Sequence, residues 1–478
     1  MSRRIFLARA AALGISASAL GPVLAACATP DRPSATPPAT PSPAPSTTPT
    51  AAPVITPSPS FGGTLPVVDP TPASATYGDM LETSAFAPAS VPAALRLLLA
   101  EVATDAGIAV APVTVEGRRQ ARISVITGDA LFGPQAYRLE VAPTVDGPEV
   151  TVYAVDEAGA YNGLLTLGRL VVADGATTWL RAATVDDSPG FMSRGAILDP
   201  YVLPDVGLTD ASKALLLERV RFGSRYKLNF VDLPDRVPWP ELVRFCDDHH
   251  VEVIVSKGYR DRLTVTPRAE VVRQLDELLD AGTQSISLDW DDIPTTNPDA
   301  LARQHGEIFL DLYRHLRSRL PDVRVSAVLP PYGGVPGQHL VGSNTGDGER
   351  YLALMRDALP TDVRVFWTGD GGVFSPTVTT AGARAYADAV GHELGLWDND
   401  AIRFSREQRA CQGRAADLAT VIHTYMGNLA GEAHWSGTNG EFALLTSLFY
   451  TWNPGAYDPD GAATAAERIL ASGGATTS

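Results

Sequence analysis

The chain has 478 residues, 45% of them apolar and 19% charged, which is enough for two globular domains with full cores. Its formal net charge of −16 argues against nucleic acid or an anionic membrane surface as the main partner, and disfavours a polyanionic polysaccharide as substrate. Only three cysteines occur, Cys27, Cys246 and Cys411, with no pair at zinc-site or redox spacing, so neither a structural zinc site nor a disulfide-rich scaffold is supported; the histidines form no metal pattern, and no metal or cofactor is expected.

Residues 1–27 read as an export leader. Ser2-Arg3-Arg4-Ile5-Phe6-Leu7 gives way to a small-residue apolar run ending Leu24-Ala25-Ala26-Cys27. The run is shorter than the ~20 residues that span a bilayer, so it is a signal peptide rather than a transmembrane helix. The opening is similar to the twin-arginine export signal, and Leu-Ala-Ala-Cys is similar to a lipobox, in which cleavage leaves Cys27 first and acylated. A secretory signal with a chance cysteine is the alternative. Residues 28–62 are almost all Pro, Ser, Thr and Ala. They bury too little apolar surface to offset ordering entropy and read as an extended, disordered tether. The expected product is an exported membrane lipoprotein facing outward.

Residues 63–187 alternate short strands and helices and read as a small α/β domain. Val91 to Ala106 has a helical pattern, with Pro92 tolerated in the first turn. Ala121–Val125, Ala136–Val141 and Glu149–Ala154 carry β-branched and aromatic residues at a period of two. Residues 188–470 alternate more regularly. Strand-like runs fall at Gly195–Leu198, Leu228–Leu233, Val251–Ser256, Gln284–Asp289, Val323–Val328, Val363–Phe366, Glu393–Trp397 and Thr420–Thr424. Helical runs separate them, such as Asp210–Phe222, Pro240–His249, Ala269–Ala281 and Leu301–Leu320. Eight strands with seven helical stretches between them is the count of a (β/α)8 barrel. A doubly wound open sheet ranks lower, because no Gly-rich phosphate loop opens a helix. His249-His250 at a helix end reads as a solvated face. Cys246 and Cys411 read as buried thiols or a disulfide, a choice the sequence leaves open.

A barrel builds its active site at the C-terminal ends of its strands. Trp290, Asp291 and Asp292 follow the fourth predicted strand, and Pro330, Pro331 and Tyr332 the fifth. Trp367 and Thr368 follow the sixth, Trp397, Asp398 and Asn399 end the seventh, and the eighth runs into Tyr425 and Asn428. Each residue alone has an ordinary structural explanation as core or cap. Acids, aromatics and amides gathered at one end of five strands suit a sugar, whose C–H faces stack on rings and whose hydroxyls need polar partners. A purely structural surface protein gains nothing from such a cluster.

Ser287-Leu288-Asp289-Trp290-Asp291-Asp292-Ile293, Val365-Phe366-Trp367-Thr368-Gly369, Trp397-Asp398-Asn399 and Tyr450–Asp460 resemble, in order, segments of glycoside hydrolase family 84, the bacterial β-N-acetylglucosaminidases. Gly159-Ala160-Tyr161-Asn162-Gly163-Leu164-Leu165-Thr166-Leu167 is similar to a segment of the small domain that precedes the barrel there and in family 20 hexosaminidases. The resemblance spans about Gly133 to Leu470. It implies a retaining hydrolase that removes β-linked N-acetylhexosamine through an oxazoline formed by the substrate's own acetamido group. It implies that Asp291 orients that group, that Asp292 is the general acid/base, and that Tyr332 supports the acetamido pocket. Gly195, Trp367, Trp397, Asn399 and Asn428 would contact the sugar. The physics agrees, since ordinary retaining enzymes need two carboxylates about 5 Å apart across the bond, which adjacent residues struggle to supply. Two close carboxyls also push one proton affinity upward. On an ideal strand Asp289 and Asp291 would share a face, so an Asp289/Asp291 pair is the competing assignment.

The sequence departs from the family where outer hydroxyls are read. The first strand has Leu198-Asp199 where the family has Glu-Gly. Pro234-Asp235-Arg236 lacks the family lysine, and Asp400-Ala401-Ile402 lacks its outer Asn-Asp pair. Retained chemistry with altered sugar preference is expected. The alternative is a sugar-binding lipoprotein that has lost activity but kept the fold. The extra helical domain of longer family members is not expected.

Overall fold

The computed structural model describes residues 65–473, apart from 115–118, 129–131, 175, 202–206, 342–346, 407–409, 432–434 and 436. The leader, Cys27 and the whole of the tether lie outside the described residues. Among the described residues, no helix is long and apolar enough to cross a membrane.

The first part is a mixed sheet. Its strands are β1 (Ser74–Thr83), β2 (Ala85–Ser90), β3 (Ala109–Val110), β4 (Gln120–Thr127), β5 (Tyr137–Thr144), β6 (Gly147–Ala154), β7 (Val171–Asp174) and β8 (Thr177–Asp187). They are ordered β1-β8-β5-β6-β4-β2-β3, with β7 beside β8. Helices Arg96–Asp105 and Glu157–Arg169 pack on each other and on the sheet, around Phe86, Leu98, Ile123, Val152 and Leu164. The second helix starts where the Asp156 side chain accepts the Gly159 N–H at 2.7 Å. Its glycines let it lie close. A Cβ on Gly159 would sit 2.3 Å from the Ala136 carbonyl, and one on Gly163 2.5 Å from Val152.

The second part is a closed parallel barrel. Its strands are β9 (Ser193–Ile197), β10 (Phe230–Asp232), β11 (Glu252–Lys257), β12 (Ser285–Asp289), β13 (Arg324–Val328), β16 (Arg364–Trp367), β17 (Glu393–Asp398) and β18 (Ile422–Asn428), with a small hairpin of β14 (Gly333–Val335) and β15 (His339–Val341) after β13. All eight predicted strands are present. The last runs on from Thr424 to Asn428, because those residues pair with Ser193–Ile197 where the barrel closes. Period-two alternation divides each strand. On β12, Ile286 and Leu288 face the helical shell, whereas the inner faces of other strands contribute Ile197, Phe230, Ile254, Val328, Phe366 and Met426 to a separate interior cluster.

The small domain is fastened near the N-terminal ends of the barrel strands, opposite the mouth. The Gln135 side chain accepts from Arg194 at 3.0 Å and from Asn229 at 3.1 Å. Asp187, wholly buried, accepts from Lys227 at 3.1 Å, the Tyr137 hydroxyl at 2.7 Å and the Trp452 indole at 2.8 Å. Burial pushes the Lys227 ammonium down to about 8 against the pull of Asp187. This junction also corrects the reading of His249. It is 5% exposed rather than solvated, stacks on Phe245 and meets Glu101 of the small domain at 2.7 Å. The helix ends at Asp248, so the His249 ring folds back under a domain that a helix pattern cannot reveal. Cys246 and Cys411 are both buried free thiols, and burial pushes the latter up to about 12.

Candidate active site

A cavity of about 350 Å3 opens at the C-terminal ends of the barrel strands. That is ample for a small ligand. Its floor is the interior apolar cluster, and of two buried acids at the strand ends Asp289 borders it while Asp232 does not. Asp232 accepts the Ser256 N–H at 3.0 Å and the Ser256 hydroxyl at 2.8 Å. Asp289 accepts the Ser287 hydroxyl at 2.6 Å. Burial raises both carboxyls, Asp232 to about 7, and Asp289 well above the usual carboxylate range.

The strand β12 stops at Asp289, and Asp291 and Asp292 form a turn. Asp292 adopts a left-handed backbone, with φ of 57°. Among non-glycine residues that region is easiest for Asp and Asn. The turn removes the face-sharing problem posed by an ideal strand. Asp289, Asp291 and Asp292 all border the cavity, with Asp289 buried, Asp291 half-buried and Asp292 exposed to the opening. The backbone N–H of Arg260, in the loop after β11, donates to Asp291 at 3.0 Å. The Tyr332 hydroxyl donates to Asp292 at 2.7 Å. Burial, reinforced by the charge of Asp292, pushes the Asp291 carboxyl up to about 6. The expected upward shift of one neighbouring acid therefore falls on Asp291.

Across the opening, β17 and β18 supply an amide cluster. Asn399 Oδ1 accepts from the Trp397 indole at 3.0 Å and from Asn428 at 2.8 Å, while its amide donates to the Val373 carbonyl at 2.9 Å. Trp397, Asn399, Asn428 and Tyr332 thus border the cavity together with the two adjacent acids. Trp367 does not. It is fully buried in the outer core, donates to the Gly334 carbonyl at 2.9 Å and stacks on Tyr386. The reason is parity: Phe366 points inward, so its neighbour points to the helices. Gly195 does not line the cavity either. A Cβ there would lie 2.5 Å from the Phe230 ring, so the glycine makes room for the barrel's own filling rather than for a ligand.

Four bordering residues on the first three strand ends were given no site role from the sequence: Asp199 and Asp235, read there only as departures from the family, and Tyr201 and Tyr259. The rule that found the others, residues following a strand, applies to them equally. Asp199 accepts from Arg236 at 2.6 Å and from the Tyr201 N–H at 2.8 Å. Asp235 pairs with Lys257 at 2.6 Å. Each wall carboxylate is thus matched by a cation that does not itself border the cavity.

A barrel with such a mouth, set on a small α/β domain, recurs among solved structures. CpGH84B superposes with a TM-score of 0.67 at 16% identity, over 85% of this chain and 74% of its own. For CpGH84D the TM-score is 0.63 at 16% identity, over 85% and 72%. For the family 20 exo-β-N-acetylglucosaminidase of Vibrio harveyi it is 0.58 at 12% identity, over 86% and 78%. At these identities the likeness is one of fold. No curated protein matches the sequence. Residues 68–188 match domain 2 of glycosyl hydrolase family 20 and residues 257–477 match the beta-N-acetylglucosaminidase family. The fold and the matched domains define a glycoside hydrolase of the hexosaminidase type. Within that class residues 257–477 are similar to the beta-N-acetylglucosaminidase family, and the barrel shares its fold with CpGH84B and CpGH84D.

Proposed function

We propose that this hydrolase is a retaining, substrate-assisted β-N-acetylhexosaminidase of GlcNAc type. One observation carries the reading: Asp291 and Asp292 leave a strand end side by side and open onto one cavity, with Asp292 held by Tyr332. The other bordering acids make poor nucleophiles, since Asp199 and Asp235 are ion-paired and Asp289 is buried and hydrogen-bonded. A substrate that brings its own nucleophile removes the need for one.

In the first step the acetamido oxygen attacks the anomeric carbon as the glycosidic C–O bond breaks. Asp292 gives its proton to the departing oxygen, and ionised Asp291 accepts the acetamido N–H as charge builds on the forming oxazoline. In the second step water attacks the anomeric carbon from the vacated side, yields a proton to Asp292 and reopens the ring, with net retention. Asp291 acts as an anion, so turnover is expected to fall as the pH drops through about 6. Trp397, Asn399 and Asn428 would line the sugar pocket.

The second reading, a sugar-binding protein without turnover, draws on Leu198, Asp235 and the stretch Asp400-Ala401-Ile402 standing where the family carries its Glu, Lys and outer Asn-Asp pair. An aryl β-N-acetylglucosaminide and its galacto epimer separate the two. Turnover lost in Asp291→Asn and in Asp292→Ala supports the hydrolase. Tight sugar binding without turnover by the parent chain supports the alternative. The leader, with Cys27 as acylated residue, places the enzyme on the outer side of a membrane in this reading, with extracytoplasmic N-acetylhexosamine glycans as substrate.

A further inference from the structure

The rim of the cavity carries an exposed aromatic residue that the mechanism does not use. Phe374 and Val373, each 39% exposed, sit in the loop after β16 and border the opening beside Ile402. Exposed phenylalanine on a loop usually moves, but this loop is fastened at several points. The Thr368 hydroxyl donates to the Gly372 carbonyl at 2.5 Å, and the Gly371 N–H to the Ser375 hydroxyl at 2.9 Å. The Val373 carbonyl is held by Asn399, the same residue that Trp397 and Asn428 donate to in the inner pocket. The Arg403 guanidinium lies 4.5 Å from the centre of the Phe374 ring and is itself paired with Asp400 at 3.1 Å. A cation against one side of an aromatic ring fixes its tilt. Inner pocket and rim are therefore one hydrogen-bonded unit, ending in a ring of set orientation at the rim of the cavity.

We propose that Phe374, flanked by Val373 and Ile402, binds the leaving group, and that the leaving group is a neutral pyranose ring. This rests on the hexosaminidase reading and extends it to the substrate: the sugar removed is attached to another sugar rather than to a small or acyclic group. A fixed aromatic ring complements the C–H face of a pyranose and has nothing comparable to grip on a serine or threonine side chain. Among the described residues bordering the cavity there are five aspartates and no lysine, arginine or histidine, so a ring bearing a carboxylate is disfavoured.

The test uses the full chain, solubilised in detergent, with Asp292→Ala to prevent turnover. Binding of GlcNAc, of the β-linked GlcNAc disaccharide and of GlcNAc β-linked to a uronic acid is measured by calorimetry, with and without Phe374→Ala. The expected result is a disaccharide bound at least tenfold tighter than the monosaccharide, an advantage absent from the uronic acid conjugate. Phe374→Ala should abolish that advantage while moving monosaccharide affinity less than twofold, and Phe374→Tyr should restore it. A disaccharide advantage that survives Phe374→Ala overturns the assignment. So does a parent chain that binds both sugars equally, although the hexosaminidase reading then stands. Failure to bind any of the three sugars removes both.

Discussion

Replacing Asp291 with asparagine ties the chemistry of the site to the stability of the fold. The carboxyl lies at about 6 instead of 3.8, mainly through burial. A rise of about two units, at about 1.4 kcal/mol each, means that keeping this carboxylate ionised at pH 7 costs the folded state about 3 kcal/mol. The sign follows from proton counting. Between 3.8 and about 6 the folded chain holds a proton that the unfolded chain has released, so this group's contribution to stability declines as pH rises through that window. Asparagine keeps the acceptor for the Arg260 N–H and removes only the charge. The variant should therefore be more stable than the parent by about 3 kcal/mol at pH 7 but by only about 1 kcal/mol at pH 4.5. With an unfolding entropy of about 0.8 kcal/mol/K for roughly 400 ordered residues, the gain at pH 7 is a Tm higher by about 3–4 °C. Paired melts at both pH values measure it, and turnover on an aryl β-N-acetylglucosaminide should meanwhile collapse. A variant no more stable than the parent at pH 7, or a gain that does not shrink in acid, would refute the argument that burial strains this carboxylate.

Tyr332→Phe removes the hydroxyl that holds Asp292 and should lower kcat about 10–100-fold, in line with about 1.5–3 kcal/mol for a hydrogen bond to a charged group, with little change in KM; a pure KM effect would contradict this role. Asp187→Ala strands the buried Lys227 ammonium and should cost about 3–5 kcal/mol in urea unfolding, partly recovered by adding Lys227→Met. A loss below about 1 kcal/mol would show that the junction contributes little, since even a single net hydrogen bond is worth that much. Cys27→Ala should shift the protein from the membrane to the soluble extracytoplasmic fraction, read by fractionation and blotting; unchanged membrane retention would count against the lipid anchor.

The barrel was legible because each strand ends in a turn and is spaced by an amphipathic helix, a local pattern. The acid pair was legible through the ordered series of motifs around it, since two adjacent aspartates alone are weakly specific. What stayed hidden depends on register. Whether Trp367 or Phe366 faces the interior is decided by pairing with β13, where Val328 and Phe366 stand side by side. Gly195 reads as space, but the space belongs to Phe230 one strand away. The Asp199–Arg236 and Asp235–Lys257 pairs join neighbouring strand ends, and nothing local announces them. His249 looked exposed because the domain that covers it is remote in sequence.

The left-handed backbone at Asp292 has a consequence for how such enzymes change over time. A positive φ favours glycine, asparagine and aspartate over other residues, so the commonest conservative exchange of an acid, for glutamate, is opposed by the main chain itself. Asparagine meets no such resistance. A single substitution at this turn would therefore leave the pocket and fold in place while removing the proposed proton donor. On this scaffold, hydrolase and lectin are immediate neighbours in sequence space.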